Sequence, residues 1–196
     1  MKTGKKLVLL GGFFIVPFIL FGSQNGYADD VRGVTETNVK IGLVCDQTGP
    51  IADITLPLSE GVRNYTRYIN DQGGIHGRKM KLIVEDDRYS IPVTMAAFKK
   101  LLFKDKILAL IGPGSLGGAR TLMKQIEKLK LPTIAPIADR VLVDPFRRYI
   151  FLPVGFYDDE VGVFFDYIVH DLKEKAPKIC LAYVDAESGK VVRDHA

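Results

Sequence analysis

Gly112-Pro113-Gly114-Ser115-Leu116-Gly117 follows the apolar run Leu108 to Ile111 and satisfies the pattern GxGxxG. Glycines at that spacing allow a tight strand-to-helix turn and close backbone approach to a phosphate, with helix amides facing the anion. Asp139, 22 residues after Gly117, stands where an acid could take a ribose hydroxyl. The chemistry so indicated is dinucleotide binding by a Rossmann-type oxidoreductase. Three features oppose it: an export-like amino terminus, a motif placed after the third strand, and the lack of a catalytic set.

Other reactive residue types are scattered. His76, His170 and His195 share no ligand spacing, so no metal site follows. Asp86 and Asp87 end an apolar run and read as loop-capping carboxylates rather than a metal pair. Cys45 and Cys180 sit at or inside apolar runs without a CxxC spacing, which reads as two buried free thiols. No catalytic residue and no cofactor is expected.

Residues 1–28 carry Lys2, Lys5 and Lys6, then an uncharged run from Leu7 to Gly22, and end on Gly26-Tyr27-Ala28. This is the layout of a cleavable signal peptide, with Asp29 as the mature amino terminus and a periplasmic or otherwise extracytoplasmic destination. The run is short of the roughly 20 residues a spanning helix needs. The leader holds three of the 27 Lys and Arg and none of the 23 Asp and Glu. The remaining 24 basic and 23 acidic residues leave a mature charge of about +1, so the pI near 9.0 does not argue for a nucleic-acid partner.

Strand-like and helix-like periodicities alternate from Asn38 onward, the signature of a parallel sheet wrapped by helices. Strands are expected at Val39 to Val44, Met80 to Glu85, Ile107 to Ile111, Thr133 to Pro136, Ile150 to Pro153 and Lys178 to Tyr183. A helix is expected from about Pro57, with Leu58, Val62, Tyr65 and Ile69 on one face, ending at Gly73-Gly74. Others follow at Pro92 to Phe103, after the glycine motif with Leu122, Ile126 and Leu129 inward, and at Asp158 to Leu172 with Val161, Phe164, Phe165, Ile168 and Leu172 inward. The fold class is α/β, an open parallel sheet with helices on both faces.

VKIGLVCDQTGPIA, INDQGGIHGRKMKLIVEDD, IGPGSLGG, LPTIAPIA and DAESGK together resemble the type I periplasmic solute-binding proteins, typified by the leucine/isoleucine/valine-binding protein of ABC transporters. The resemblance covers residues 38 to 194. It implies two lobes closing on a small solute and a membrane permease as partner. Residues 29–37 would be a lead-in, 38–148 the first lobe, 149–154 the inter-lobe crossover and 155–196 the start of a second, incomplete lobe. The chain therefore reads as a fragment that does not close two lobes by itself. An extracytoplasmic sensory domain of the same fold is the alternative.

Amino-acid-binding members of that family offer a serine hydroxyl and backbone amides to the ligand carboxylate, and a threonine to its amino group. A gap-free count places the serine position on Leu116, one residue after Ser115, and the threonine position on Asp139. The aromatic of the first loop is replaced by Ile54. The resemblance thus implies a ligand set of Ile54, Ser115, Leu116, Gly117, Ala138 and Asp139, for an amino acid or similar carboxylate. Ser115 also suits a helix cap and Asp139 a local turn. Tyr157, Asp158 and Asp159 could line the cleft's far edge.

Overall fold

The computed structural model describes residues 31–196; the expected signal peptide lies outside them. Val39, Leu43, Val44 and Cys45 are buried because strand β1 (Asn38–Cys45) sits inside the sheet, where both faces are covered and polar alternation is absent. It pairs in parallel with β2 (Lys79–Asp86) on one side and with β3 (Ala109–Ile111) on the other. Then come β4 (Thr133–Ile134) and β5 (Ile150–Phe151), in the order β2-β1-β3-β4-β5. The chain leaves β1 to one side and then to the other, so the β1/β3 junction is the switch point where an open α/β sheet forms a crevice.

Helix α1 (Ala52–Asp71) starts five residues before the expected Pro57. The reason lies in the preceding loop, whose Asp46 carboxylate accepts the Gly49 and Ile51 amides at 2.5 and 2.8 Å and turns the chain early. Pro57, which has no N–H to donate to the Asp53 carbonyl, and Asp53 itself are both exposed residues, so the proline sits on the solvent side of the helix. Tyr65 is 63% exposed rather than inward and stacks on Tyr68 with centroids 6.0 Å apart. The buried stripe is Thr55, Ser59 and Thr66.

Helix α2 (Ile91–Lys99), continued by a wide turn over Lys100–Asp105, and helix α3 (Leu116–Leu129) supply half of the buried core cluster. Phe98, Leu101, Leu122 and Ile126 pack with Ile107, Leu110 and Leu131 in one cluster. Fully burying such side chains contributes about 1.5–3 kcal/mol each, which anchors the loops at the carboxyl end of the sheet.

Beyond β5 the packing thins. Helix α4 (Tyr157–Asp166) and the wide turn Tyr167–Asp171 bury only Ile168 of the expected apolar face. Phe164 is 53% exposed. Lys178 to Tyr183 forms no strand, contrary to expectation, because an extended run becomes a strand only where a neighbour completes its ladder. Cys180 lies in that run and is exposed, whereas Cys45 is buried, and both are free thiols. The chain closes with α5 (Glu187–His195).

Candidate functional site

At the carboxyl end of the sheet, three aspartates shape the loops. Asp46 closes the loop after β1. Asp86 accepts from the Gln47 and Arg88 amides at 2.9 and 3.0 Å and from the Thr48 hydroxyl at 2.6 Å. Although burial opposes it, these bonds hold the Asp86 carboxyl below its usual range. Asp87 accepts from the Tyr89 amide and the buried Thr94 hydroxyl, while burial pushes its carboxyl up. The reading of Asp86 and Asp87 as loop caps fits these partners. Among the described residues no cluster of His, Cys, Asp or Glu could hold a metal ion.

After β3 the chain must turn beneath β1. Gly112 does this at φ 101, where an added Cβ would overlap the Val44 carbonyl, so only glycine fits. Ser115 then caps α3, its hydroxyl accepting from the Gly118 amide at 3.2 Å. Leu116 points inward, 1% exposed, as part of the core cluster.

The loop after β4 ends on Asp139, which is buried. One carboxylate oxygen accepts the Val141 amide at 3.0 Å. The other meets Arg120 Nη2 at 2.5 Å and Nε at 3.1 Å. The same guanidinium reaches Glu187 at 2.9 Å through Nη1. Asp139 therefore presents no free carboxylate to a ribose, and the dinucleotide reading loses its acid. Asp158 and Asp159 pair with Arg140.

These loops enclose a cavity of about 300 Å³ at the β1/β3 junction. Its floor is Leu43, Val44 and Cys45, with Gly112, Gly114 and Leu116 beside them. Ile51, Ile54, Thr55 and Leu58 form one wall; Tyr89, Pro136, Ile137 and Tyr157 face them, and Val184 and Ser188 close the side. Not one charged side chain is in this lining. The size falls at the lower end of that found for small-molecule pockets. Burial, which also separates it from water, pushes the Cys45 thiol up to about 11, with Asp87 adding to the effect. Burial likewise raises the Tyr157 phenol, with Glu160 and Tyr89 contributing.

Of the ligand set implied by resemblance, Ile54 and Leu116 line this cavity, and Ile54 is 72% exposed at its mouth. Ser115 and Gly117 line an adjoining pocket of about 240 Å³ with Tyr89, Ile91 and Glu187. Ala138 and Asp139 line neither pocket: the Ala138 carbonyl accepts the Tyr157 amide at 2.8 Å, and Asp139 turns to Arg120. Sequence reasoning missed Tyr89 and Arg120. The former stands in a left-handed turn without a motif, and Arg120 meets a partner 19 residues away across a strand. A larger cavity of about 500 Å³ near Val31, Lys40, Phe103 and Lys106 lies at the amino end of the sheet, away from the crevice that this topology forms.

With the geometry in view, comparisons with known proteins are consistent with it. The family model described as "Periplasmic binding protein" matches residues 38–196. An amino acid binding protein from Pseudomonas aeruginosa is 28% identical over 144 residues, covering 70% of this chain and 37% of the relative. A branched-chain amino acid ABC transporter protein from Thermus thermophilus, solved with bound valine, superposes with TM-score 0.76 at 25% identity, covering 83% of this chain and 42% of that one. A fatty acid ABC transporter substrate-binding protein from Thermomonospora curvata gives TM-score 0.72 at 23% identity, covering 84% and 41%. The chain thus spans about two fifths of the length of these relatives. Its matched region, its parallel sheet and its crevice at the β1/β3 junction agree: the chain belongs to the periplasmic binding protein family.

Proposed function

We propose that this chain is the solute-binding part of an ABC importer, taking a small organic solute, an amino acid or related carboxylate, in the cavity at the β1/β3 junction. The observation that carries the reading is that cavity itself: an uncharged, largely apolar pocket at the carboxyl ends of the central strands, where open α/β sheets bind ligands. The valine-bound similar protein supports a solute of that size. Residues 1–28 would direct export, and a membrane permease would receive the loaded protein. Residues 38–148 would form the first lobe, 149–154 the crossover and 155–196 the start of the second. No catalytic step is proposed.

The test is a thermal-shift panel of amino acids, aliphatic acids and aromatic acids on the purified chain. A concentration-dependent rise in Tm with at least one class is expected, since a ligand that binds only the folded state stabilises it. No shift with any class at millimolar concentration would overturn the reading.

A further inference from the structure

Of the residues lining the cavity, Tyr157, Val184 and Ser188 lie after β5 and the others before it. Tyr157 opens α4 and Ser188 is in the first turn of α5. The Val184 carbonyl packs on α5 so closely that a Cβ added at Gly189 would overlap it. Residues 173–185 between these helices are exposed and form neither helix nor strand. The place of α5, and of the wall it carries, is therefore set by what it touches.

Two arginines anchored before β5 reach this wall. Arg120 holds the buried Asp139 through Nη2 and Nε, and through Nη1 it donates at 2.9 Å to Glu187, the residue before Ser188. Because the bonds to Asp139 already orient the guanidinium, the third nitrogen meets Glu187 with little further loss of side-chain freedom. Arg140 opens the short turn Arg140–Leu142, whose Leu142 belongs to the core cluster. Its Nε donates to Asp158 at 2.9 Å and its Nη2 to Asp159 at 2.7 Å, with the guanidinium 4.3 Å from the centroid of the Phe156 ring. Phe156 and these two acids flank Tyr157 in the chain. Among the described residues, the side-chain hydrogen bonds that join the parts before and after β5 are these three ionic contacts. The neutral links are the Tyr157 amide on the Ala138 carbonyl and Val191 against the core.

Resting on the proposed reading of the cavity as a solute site, we infer that Arg120 and Arg140 are positioning residues for it: their ion pairs hold Tyr157, Val184 and Ser188 against the rest of the lining, so that access to the cavity is governed by charge. Neither arginine lines the cavity. Each acts through acids that adjoin a lining residue. Salt weakens such partly exposed pairs, whereas it does not weaken apolar contacts such as that of Val191.

Cys45 lies on the cavity floor and is 1% exposed, so modification of its thiol reports opening of this wall. The test is labelling of the full chain, without solute, by methyl methanethiosulfonate in about 20 mM and about 500 mM NaCl. Peptide mass spectrometry reads Cys45 separately from Cys180. Wild-type Cys45 is expected to react slowly at low salt and at least about fivefold faster at high salt, the scale of several exposed ion pairs lost together. The triple variant Glu187→Gln, Asp158→Asn, Asp159→Asn leaves Arg120 on Asp139 and is expected to react fast at both concentrations, with most of the salt response gone. Glu187→Gln alone is expected to fall between the two. General destabilisation would raise the rate without removing the salt response. A wild-type rate that ignores salt would overturn the inference, as would a triple variant that reacts as slowly as the wild type or keeps its salt response. Because no solute is present, each of these results leaves the solute-binding reading standing, and a thermal-shift panel without any shift would overturn that reading by itself.

Discussion

Gly112 passes so close beneath Val44 that a Cβ would overlap the Val44 carbonyl oxygen, and it does so at φ 101. Its own amide donates to the Ile134 carbonyl at 2.8 Å, so the position is fixed from both sides. Gly112→Ala is expected to lower stability by about 3 kcal/mol or more, from strain and displacement of β1. Gly114 is the internal control: an added Cβ there would meet Thr55 at 3.5 Å, ordinary contact. Urea midpoints for the two variants check this, with Gly114→Ala expected near the wild type.

Ser115 is a helix cap by its geometry, whatever else it touches. Replacing it with Ala removes the acceptor for the Gly118 amide and is expected to cost about 1 kcal/mol. Ser115→Asp, which keeps an acceptor at the helix start, is expected to recover most of that loss in the same unfolding assay.

Leu116 sits where resemblance to amino-acid-binding proteins implies a serine, yet it is a core residue as well as a cavity wall. Leu116→Ser is therefore expected to destabilise by about 2–4 kcal/mol, from lost burial and a hydroxyl with no partner. Pairing it with Asp139→Thr would add the exposure of Arg120 to an empty partner site. A thermal melt of the single variant within 1 °C of wild type would contradict this placement.

The two thiols should separate chemically. Cys45 is buried with its thiol pushed up to about 11, chiefly by burial, so at pH 8 almost none of it is thiolate. Cys180 is exposed. Iodoacetamide on the folded chain at pH 8 is expected to label Cys180 and spare Cys45, as read by peptide mass spectrometry. Urea should expose both equally.

Asp86 carries an acid dependence. Its bonds to Thr48, Gln47 and Arg88 hold its folded carboxyl below the unfolded value, so the stability it contributes is present above the unfolded pKa near about 4 and is lost as pH falls through the lowered folded value. Asp87, whose folded carboxyl is raised, acts in the opposite sense: its contribution is fullest at low pH and is lost as pH rises toward the raised value. Asp86→Asn is thus expected to be less stable than wild type by about 1 kcal/mol at pH 6, given partial exposure. The difference should shrink by pH 3 in paired urea titrations.

Much of this architecture was legible in residue order. The run at Val39–Val44 is apolar without alternation, and burial on both faces explains why it marks a central parallel strand, whereas Met80–Glu85 forms the partly buried edge strand beside it. Gly73-Gly74 and Gly112 mark turns because each takes a positive φ that side chains resist. Ser115 and Asp139 were legible as local caps, since those bonds join residues two or three positions apart.

What was not legible depends on distant partners. The early start of α1 follows from Asp46 bonding forward to two amides, and the exposed Lys178–Tyr183 run has composition without a neighbouring strand. Arg120 is a surface-type residue until Asp139 and Glu187 are brought to it across the fold. Reading Asp139 as a ligand acid omitted that cation, because nothing in local spacing reports a pair formed between a helix and the loop beyond the next strand.

The central claim is that a small solute sits in the cavity at the β1/β3 junction, and Gly114 offers the most direct handle on it. Leucine at this position would project beside Thr55 and Cys45 into the cavity. Calorimetric titration of wild type and Gly114→Leu with the best compound from the panel decides the matter. Expected is saturable binding to the wild type with a negative heat-capacity change, the mark of apolar burial, and loss of binding by at least about tenfold in a variant that remains folded by circular dichroism. Equal affinity for both proteins would place the solute elsewhere and contradict the claim.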